Sequence, residues 1–240
     1  GGGGRIAVLY DPDAQGLLPK PVLYFSVNGG NPMTGRAGEL GTIYLSDDRL
    51  LPETSSNQFN GVIYNVTNWA PSRLVLTNGY IRFATTGIVI AVENDFRLVG
   101  TSARLDLFSP SVSIGGTAVV DNAAFYVYGG TTLMPRVEVM GDCLLTNSAK
   151  LYFYAGFTNG IAPEYGGYLG VTGTLRITSS GVLYPYSVSS NGGSVYIEAG
   201  DVVKKGDKLA TIQIVPDMLN LSQAENRVRS AEIALNNAQL

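Results

Sequence analysis

The sequence predicts a mainly β protein, a right-handed parallel β-helix or β-solenoid with a C-terminal α-helix of the coiled-coil type. Three observations lead to this fold class: an unusual composition, recurring short β-rich runs and an imperfect repeat. Only 15% of the residues are charged, and the chain contains 30 Gly and 14 Tyr. This composition suits stacked strands and tight turns better than surface helices.

Short runs of β-branched, aromatic and aliphatic residues recur between Gly, Asn, Ser and Pro in the first half of the chain. These runs are Thr42–Leu45 and residues 61–66, 73–76, 80–83, 88–92 and 96–98. Each has the length of a strand, and no helical period competes with them. We therefore expect strands at these places.

Three later segments, 112–116, 137–141 and 169–173, resemble one another and end in glycines spaced 25 and 32 residues apart. Each is followed by a small residue eight positions after its last glycine (Ala124, Ala149, Gly181) and then by an aromatic run. A repeat of short strands with this period is typical of a β-solenoid, in which each coil buries its apolar face against its neighbours. An antiparallel β-sandwich or barrel is the alternative, because periodicity does not reveal strand order.

The composition changes near residue 197. Charged residues number 24 in positions 1–197 and 11 in positions 198–240, and all 23 aromatic residues lie at or before Tyr196. Such a shift predicts a boundary between modules, which we place between residues 190 and 200. The predicted division is a β-solenoid domain at 1–194, a β half-motif at 195–216 and a helix at 217–240.

Charge and composition also narrow the function classes. The net charge of −3 does not favour nucleic acid as a partner, because a phosphate backbone normally requires clustered Lys and Arg. Without His the chain cannot build a Ser-His-Asp or Cys-His site, and we predict neither enzymatic activity nor a cofactor. The single Cys143, among apolar residues, is interpreted as a small buried hydrophobe.

The Gly-rich opening, the strand Thr42–Leu45 and the turn at 179–183 resemble large secreted bacterial β-helix proteins of surface or adhesin type. The resemblance covers most of residues 1–196. It implies an exported, extracellular or periplasmic scaffold with a glycan or cell-surface partner.

Residues 195–215 contain two Gly-Asp turns around short apolar strands, at Gly200-Asp201 and Gly206-Asp207. This pattern resembles the half-motif of lipoyl and biotinyl carrier domains. Residues 213–216 are Gln-Ile-Val-Pro where a carrier has its modified lysine, so a swinging-arm carrier is not expected.

A predicted helix follows Pro216, with apolar residues spaced by three and four positions. This seam consists of Leu221, Ala224, Val228, Ala231, Leu235 and Ala238. The spacing is that of a coiled-coil hairpin. A lipoyl-like half-motif that continues into a heptad helix resembles the periplasmic adaptor, or membrane fusion, family of tripartite efflux and secretion systems.

That resemblance implies efflux-pump components, or self-association through the helix, as partners. The returning helix, the second half of the lipoyl-like domain and the β-barrel of that family are not among these 240 residues. We therefore expect a truncated reading frame, a fusion or a composite of two parts.

Six tyrosines in the repeated aromatic runs are the candidate ligand-binding residues: Tyr126, Tyr128, Tyr152, Tyr154, Tyr184 and Tyr186. Alternation along a strand places Tyr126 and Tyr128 on one face. They could stack sugars on an exposed face, but the favoured interpretation is an internal aromatic stack.

Other candidate residues have a plainer explanation. Asp11, Asp13 and Gly16 supply part of a calcium-loop pattern, but a surface turn is favoured, and no metal site is predicted. The acidic pairs Asp47-Asp48 and Glu93-x-Asp95 are expected to be solvated loops rather than glycosidase carboxylates.

A basic cluster is formed by Arg73, Arg82, Arg97 and Arg104. Some β-helix proteins cleave acidic polysaccharides with Arg or Lys as the base, which makes such an enzyme the second alternative. We expect these arginines to protect strand edges and maintain solubility.

Overall fold

The structure, a computed structural model, describes residues 2–30, 38–131, 133–156, 166–187 and 194–199. Within these ranges the chain forms 21 strands and one short helix, α1 (Pro12–Gly16). The prediction of a mainly β protein is confirmed. The predicted C-terminal helix at 217–240 lies outside the described residues.

The strands form three sheets. Sheet I contains β1 (Arg5–Val8), β2 (Phe25–Ser26), β3 (Thr42–Leu45), β5 (Phe59–Tyr64), β8 (Tyr80–Thr86), β11 (Arg104–Phe108), β14 (Ala124–Tyr128), β17 (Lys150–Tyr154) and β20 (Val182–Tyr186). Sheet II contains β4 (Thr54–Ser56), β7 (Leu74–Thr77), β10 (Phe96–Val99), β13 (Ala118–Asp121), β16 (Cys143–Thr146) and β19 (Leu175–Ile177). Sheet III contains β6 (Asn68–Trp69), β9 (Val89–Val92), β12 (Ser111–Ile114), β15 (Arg136–Val139), β18 (Gly167–Val171) and β21 (Val195–Ala199).

From β4 onward the chain visits sheets II, I and III in turn, so that strands three apart in the chain pair with each other. Every strand pairing among the described residues is parallel. This parallel stacking is incompatible with the antiparallel sandwich or barrel and compatible with the predicted β-solenoid. The strands predicted in the first half of the chain correspond to β3, β5, β7, β8, β9 and β10.

The imperfect repeat corresponds to successive coils. Val112 pairs with Val137 and Val137 with Leu169, as the three similar segments require. Strand starts in sheet II advance by 25 residues from Ala118 to Cys143 and by 32 from Cys143 to Leu175. One position of the repeat was wrong: Ala124 pairs with Lys150, so the residue in line with Ala149 is the preceding alanine, Ala123.

The core lies between the three sheets and is filled by alternate residues of each strand. Its largest fully buried side chains include Phe59, Phe83, Phe96 and Phe153. Burial of one such side chain contributes about 1.5–3 kcal/mol, and each coil obtains it by stacking on the next. Cys143 is one of the buried residues, as predicted, and burial raises the pKa of its thiol to about 12.

Left-handed residues make the turn from sheet II to sheet I. One residue does so after β4, β7, β10 and β13, where Gly100 serves after β10, and two consecutive residues do so at Asn147-Ser148 and Ser179-Ser180. Asparagine holds this place with φ between 51° and 56° at Asn57, Asn78, Asn122 and Asn147, and Ser179 holds it at 49°. Asn tolerates this region better than most residues. These corners lie at matching places in successive coils, between the strand of sheet II and the strand of sheet I.

Candidate functional site

The six tyrosines predicted to bind ligand lie side by side on sheet I. They come from the neighbouring strands β14, β17 and β20, in which Tyr126 pairs with Tyr152 and Tyr152 with Tyr184. The residues that alternate with them, such as Phe125 and Phe153, are buried in the core. The tyrosines therefore point outward and are half-buried.

The favoured interpretation of an internal aromatic stack was thus wrong about the side of the sheet, although the rings do stack. Period-2 alternation places Tyr126 and Tyr128 on one face but does not say which face is buried. The residues that alternate with the tyrosines have fully apolar side chains and face the core instead, because a buried phenol hydroxyl needs a polar partner or water.

The rings form two columns along the stacking direction. In the first column, Tyr126, Tyr152 and Tyr184 lie with ring centroids 4.3 and 4.8 Å apart and planes within 11° of parallel. In the second column, Tyr128, Tyr154 and Tyr186 are separated by 5.1 and 4.5 Å. Phe108 of β11 extends the second column, 4.9 Å from Tyr128. We call these rings the tyrosine columns.

This packing decides which part of each ring faces solvent. Tyr152 has a ring on either side, Tyr126 and Tyr184, so both of its faces are covered. The two columns are also close to each other, with 5.7 Å between the centroids of Tyr126 and Tyr128. In the middle of the columns, a partner meets ring edges and hydroxyl groups rather than open ring faces.

An ion cluster continues the outer face beyond the columns. The carboxylate of Asp106 on β11 is fully buried and accepts two hydrogen bonds from Arg104, at 2.7 and 2.8 Å. Arg82 donates to Asp106 at 3.2 Å from Nε and from Nη2, and the Tyr80 hydroxyl donates at 2.8 Å. Two cations and one phenol thus satisfy one carboxylate.

The ion cluster and the columns are in contact through Arg104. Its guanidinium lies 4.1 Å from the ring centroid of Tyr126 and 4.6 Å from that of Tyr80, which is the geometry of a cation–π interaction. Of the four arginines that the sequence suggested as a basic cluster, Arg82 and Arg104 lie together in this ion cluster. Arg73 and Arg97 are exposed and belong to neither the cluster nor the columns.

The expectation that these arginines only protect edges is therefore wrong for Arg82 and Arg104. Burial disfavours their charged forms, but the hydrogen bonds and charges of Asp106 and Tyr80 outweigh it, and the pKa of each guanidinium is raised. An arginine held in this way is a fixed cation.

Three phenols of this surface, those of Tyr80, Tyr126 and Tyr154, resist ionisation. Burial, followed by the charge and hydrogen bond of Asp106, raises the pKa of Tyr80 to about 12. Burial also raises the pKa of Tyr126 to about 12; Arg104 opposes this effect, while the charge of Tyr152 and a hydrogen bond with it add to it. Burial, then the charges of Tyr186 and Tyr128, raise the pKa of Tyr154 to about 12. These hydroxyls are neutral donors and acceptors at physiological pH.

An open groove extends the same outer face past Tyr80 and Arg82. Its volume is about 630 Å³, and its lining includes Glu39, Thr42 and Tyr64. We refer to Tyr80, Arg82, Arg104 and Asp106 together with the tyrosine columns as the platform.

The predicted acidic pairs have structural partners. Asp47 accepts hydrogen bonds from the Tyr10 hydroxyl and from the Arg49 backbone. Asp95 accepts one from the Thr117 backbone of the next coil, at 2.9 Å. Asp48 and Glu93 lie in bends between strands of the described chain.

The partial calcium-loop pattern belongs to a helix cap. Asp11 accepts hydrogen bonds from the backbone N–H groups of Asp13 and Ala14 at the start of α1. Within the described ranges no three His, Cys, Asp or Glu side chains are grouped as a metal ion would require.

The C-terminal motif is described only at its beginning. Val195–Ala199 form β21, which pairs in register with β18, so sheet III continues past the predicted boundary at residue 194. The turn residues Gly200, Asp201, Gly206 and Asp207 lie outside the described residues. So does the helix seam Leu221, Ala224, Val228, Ala231, Leu235 and Ala238.

Comparison with protein-family models, with curated proteins and with solved structures gave no match. In the part of the chain that the structure describes, no helix has the length and apolar character needed to cross a membrane.

The sequence interpretation missed Tyr80, Asp106 and Phe108 as members of the site. Asp106 was hidden because its partner Arg82 is 24 residues away and meets it only when the coils stack. The alternation Arg104-x-Asp106-x-Phe108, around buried Leu105 and Leu107, was the available signal.

Proposed function

We propose that this chain is a non-enzymatic, exported binding scaffold, a right-handed parallel β-helix whose platform binds a linear glycan. The observation that carries the proposal is the pair of stacked tyrosine columns on the outer face of sheet I. Aromatic residues spread over neighbouring coils of a rigid sheet are positioned before any partner arrives. Such preorganisation reduces the entropy lost on binding.

The right-handed sense is proposed on general grounds. Successive strands of sheet I, such as β11 and β14, are parallel and joined by a crossover through the other two sheets. Crossovers between parallel strands of one sheet are right-handed in the great majority of proteins.

A linear, hydroxyl-rich polymer suits the chemistry of the platform. The strands from β8 to β20 span four spacings of about 4.8 Å, or about 19 Å along the stacking direction. Over this length the platform offers phenol hydroxyls, from Tyr80 on β8 and from the columns on β14, β17 and β20, and a phenol hydroxyl both donates and accepts hydrogen bonds. The open groove beside Tyr80 lengthens the surface at one end. A glycan would be held by ring edges and hydroxyls rather than by stacking on ring faces.

The polysaccharide-cleaving alternative is less well supported at this surface. Its base would have to be a deprotonated arginine or lysine, whereas Arg82 and Arg104 hold raised pKa values and are bound to Asp106. The adaptor alternative depends on residues 195–240, which the structure describes only as far as Ala199. It stays a prediction.

The test is binding of the purified chain to an array of neutral and acidic linear glycans. The informative variant is the triple change Tyr126→Phe, Tyr152→Phe and Tyr184→Phe, which removes three hydroxyls and keeps the stacked rings. If each hydroxyl makes one hydrogen bond to the glycan, at about 0.5–1.5 kcal/mol, the loss of three should weaken binding roughly tenfold or more. The matched control is Tyr168→Phe on sheet III, which is outside the platform.

Thermal unfolding of the triple variant should stay close to that of the unchanged chain, because Phe108 already occupies one place in a column. A chain that binds no glycan on the array, or a triple variant that binds as well as the control, would refute the proposal.

A further inference from the structure

We propose that the tyrosine columns are a site of oxidative cross-linking, in which stacked tyrosines of neighbouring coils are joined by carbon–carbon bonds. The proposal does not depend on glycan binding. It rests on the distances and orientation of the rings and on the register that keeps them together.

The ring geometry resembles an encounter complex for coupling. Tyr126 and Tyr152 are the closest pair, with centroids 4.3 Å apart and planes 11° from parallel. Because the two residues are also paired in register, their rings extend from the sheet in the same direction, and their ortho carbons lie beside one another. Tyr154 and Tyr186 repeat the arrangement at 4.5 Å and 8°.

The order of the strands keeps these partners together. β14, β17 and β20 are paired in register by backbone hydrogen bonds, so each ring has a fixed neighbour instead of meeting one by diffusion. Intramolecular proximity of this kind raises effective concentrations by orders of magnitude. Coupling within a column should therefore be faster than coupling between molecules.

Two other oxidisable groups, Cys143 and Trp69, are less accessible, whereas Met140, Tyr24 and Tyr196 are exposed but stack on no other tyrosine ring in the described chain. Cys143 and Trp69 are 3% exposed, whereas the column tyrosines are half-buried with their edges toward solvent. Burial therefore protects Cys143 and Trp69 from an oxidant in solution, as it does for cysteines in general.

The co-reactant is hydrogen peroxide with a haem peroxidase, which supplies one-electron oxidation. Each of two phenols loses one hydrogen atom, and the two phenoxyl radicals form a bond between their ortho carbons. Each ring then returns its ortho hydrogen to the oxygen and regains aromaticity. The peroxide accepts the two hydrogen atoms and becomes two molecules of water. One bond forms, and the product is two hydrogen atoms lighter than the reactants.

The experiment treats the dilute full chain with peroxidase and peroxide, followed by proteolysis, mass spectrometry and measurement of dityrosine fluorescence. The expected result is cross-linked peptides that join β14 to β17 and β17 to β20 within one molecule. Methionine oxidation adds oxygen instead of removing hydrogen, so the masses separate the two reactions.

Tyr44 and Tyr64 provide an internal comparison. They are register neighbours on sheet I and are 41% and 45% exposed, yet within the described chain they make no stacking contact. If exposure alone determined coupling, this pair would react before the columns. We expect the column pairs to react first.

The variant Tyr152→Phe removes both couplings of the first column and keeps its packing. Its first-column cross-links should disappear, while those between Tyr154 and Tyr186 persist. Oxidation in urea should abolish the preference for column partners. The proposal is overturned if the native chain gives no cross-links, mainly intermolecular ones, or as many at Tyr44–Tyr64 as within the columns.

Discussion

Replacement of Asp106 tests the ion cluster that terminates the tyrosine columns. Asp106→Asn keeps the size of the side chain but removes the charge that two arginines share. Removing one partner of a buried ion pair costs about 3–5 kcal/mol, because the remaining charge is uncompensated. The side chains of Arg82 and Arg104 are 37% and 31% exposed, so water recovers part of this loss. We therefore expect a destabilisation of about 2–3 kcal/mol.

The assay is urea unfolding followed by circular dichroism, with the shift in midpoint compared at an unchanged slope. Glu138→Gln is the matched control. Glu138 pairs with Arg136 at 2.7 Å, its side chain is 33% exposed against 0% for Asp106, and solvent-accessible pairs contribute about 0–1 kcal/mol. The two variants remove the same chemical group from the same kind of pair and differ in burial.

A loss in Asp106→Asn no larger than that in Glu138→Gln would refute the reasoning, since burial of the carboxylate would then have no energetic consequence. A further check is the double variant Arg104→Gln with Asp106→Asn. Because Arg104 and Asp106 are in contact, the two losses should not add.

Two other predictions concern the turns and the phenols. Asn122→Ala should destabilise the fold by about 1–2 kcal/mol, because Ala is disfavoured at φ 52°, whereas Asn122→Gly should change the urea midpoint little; equal losses in both would contradict this. Because the pKa values of Tyr126 and Tyr154 are raised to about 12 from an unfolded value near 10, the folded chain binds more protons in this window. Stability from these groups should be fully present below about pH 10 and lost as pH rises through about 12. Phenolate absorbance should rise later in the folded chain than in urea, and coincident titrations would count against the effect.

Most of the strand framework followed from the sequence because it depends on local pattern. Short β-rich runs between turn residues predicted strands such as β3 and β10, and the repeat predicted the alignment of Val112 with Val137. The error at Ala124 arose because the link from β13 to β14 is one residue shorter than the matching link in the next coil. Such a difference is visible only when the strands are paired.

The candidate site was predictable in its residues but not in its position. The six tyrosines were found from their repeated runs. The side of the sheet on which they lie depends on a comparison between the tyrosines and the residues that alternate with them. Phe125 and Val127 carry no polar atom in their side chains and lose nothing by burial, whereas Tyr126 would bury a hydroxyl. The ion cluster could not be found in this way, because its members meet only across coils.

Parallel, in-register stacking restricts which side chains can follow one another along a column. A residue placed above a copy of itself must tolerate that contact, so identical charges are disfavoured in line, whereas rings stack favourably.

The column of Tyr184, Tyr152 and Tyr126 continues in register to Asp106 and then to Arg82. At the point where the rings stop, the next two places have opposite charges, and Arg104 covers the last ring face. The columns and the ion cluster are thus one structural unit. Changing Asp106 to a residue that repels Arg82 should therefore disturb Tyr126 as well as the two arginines.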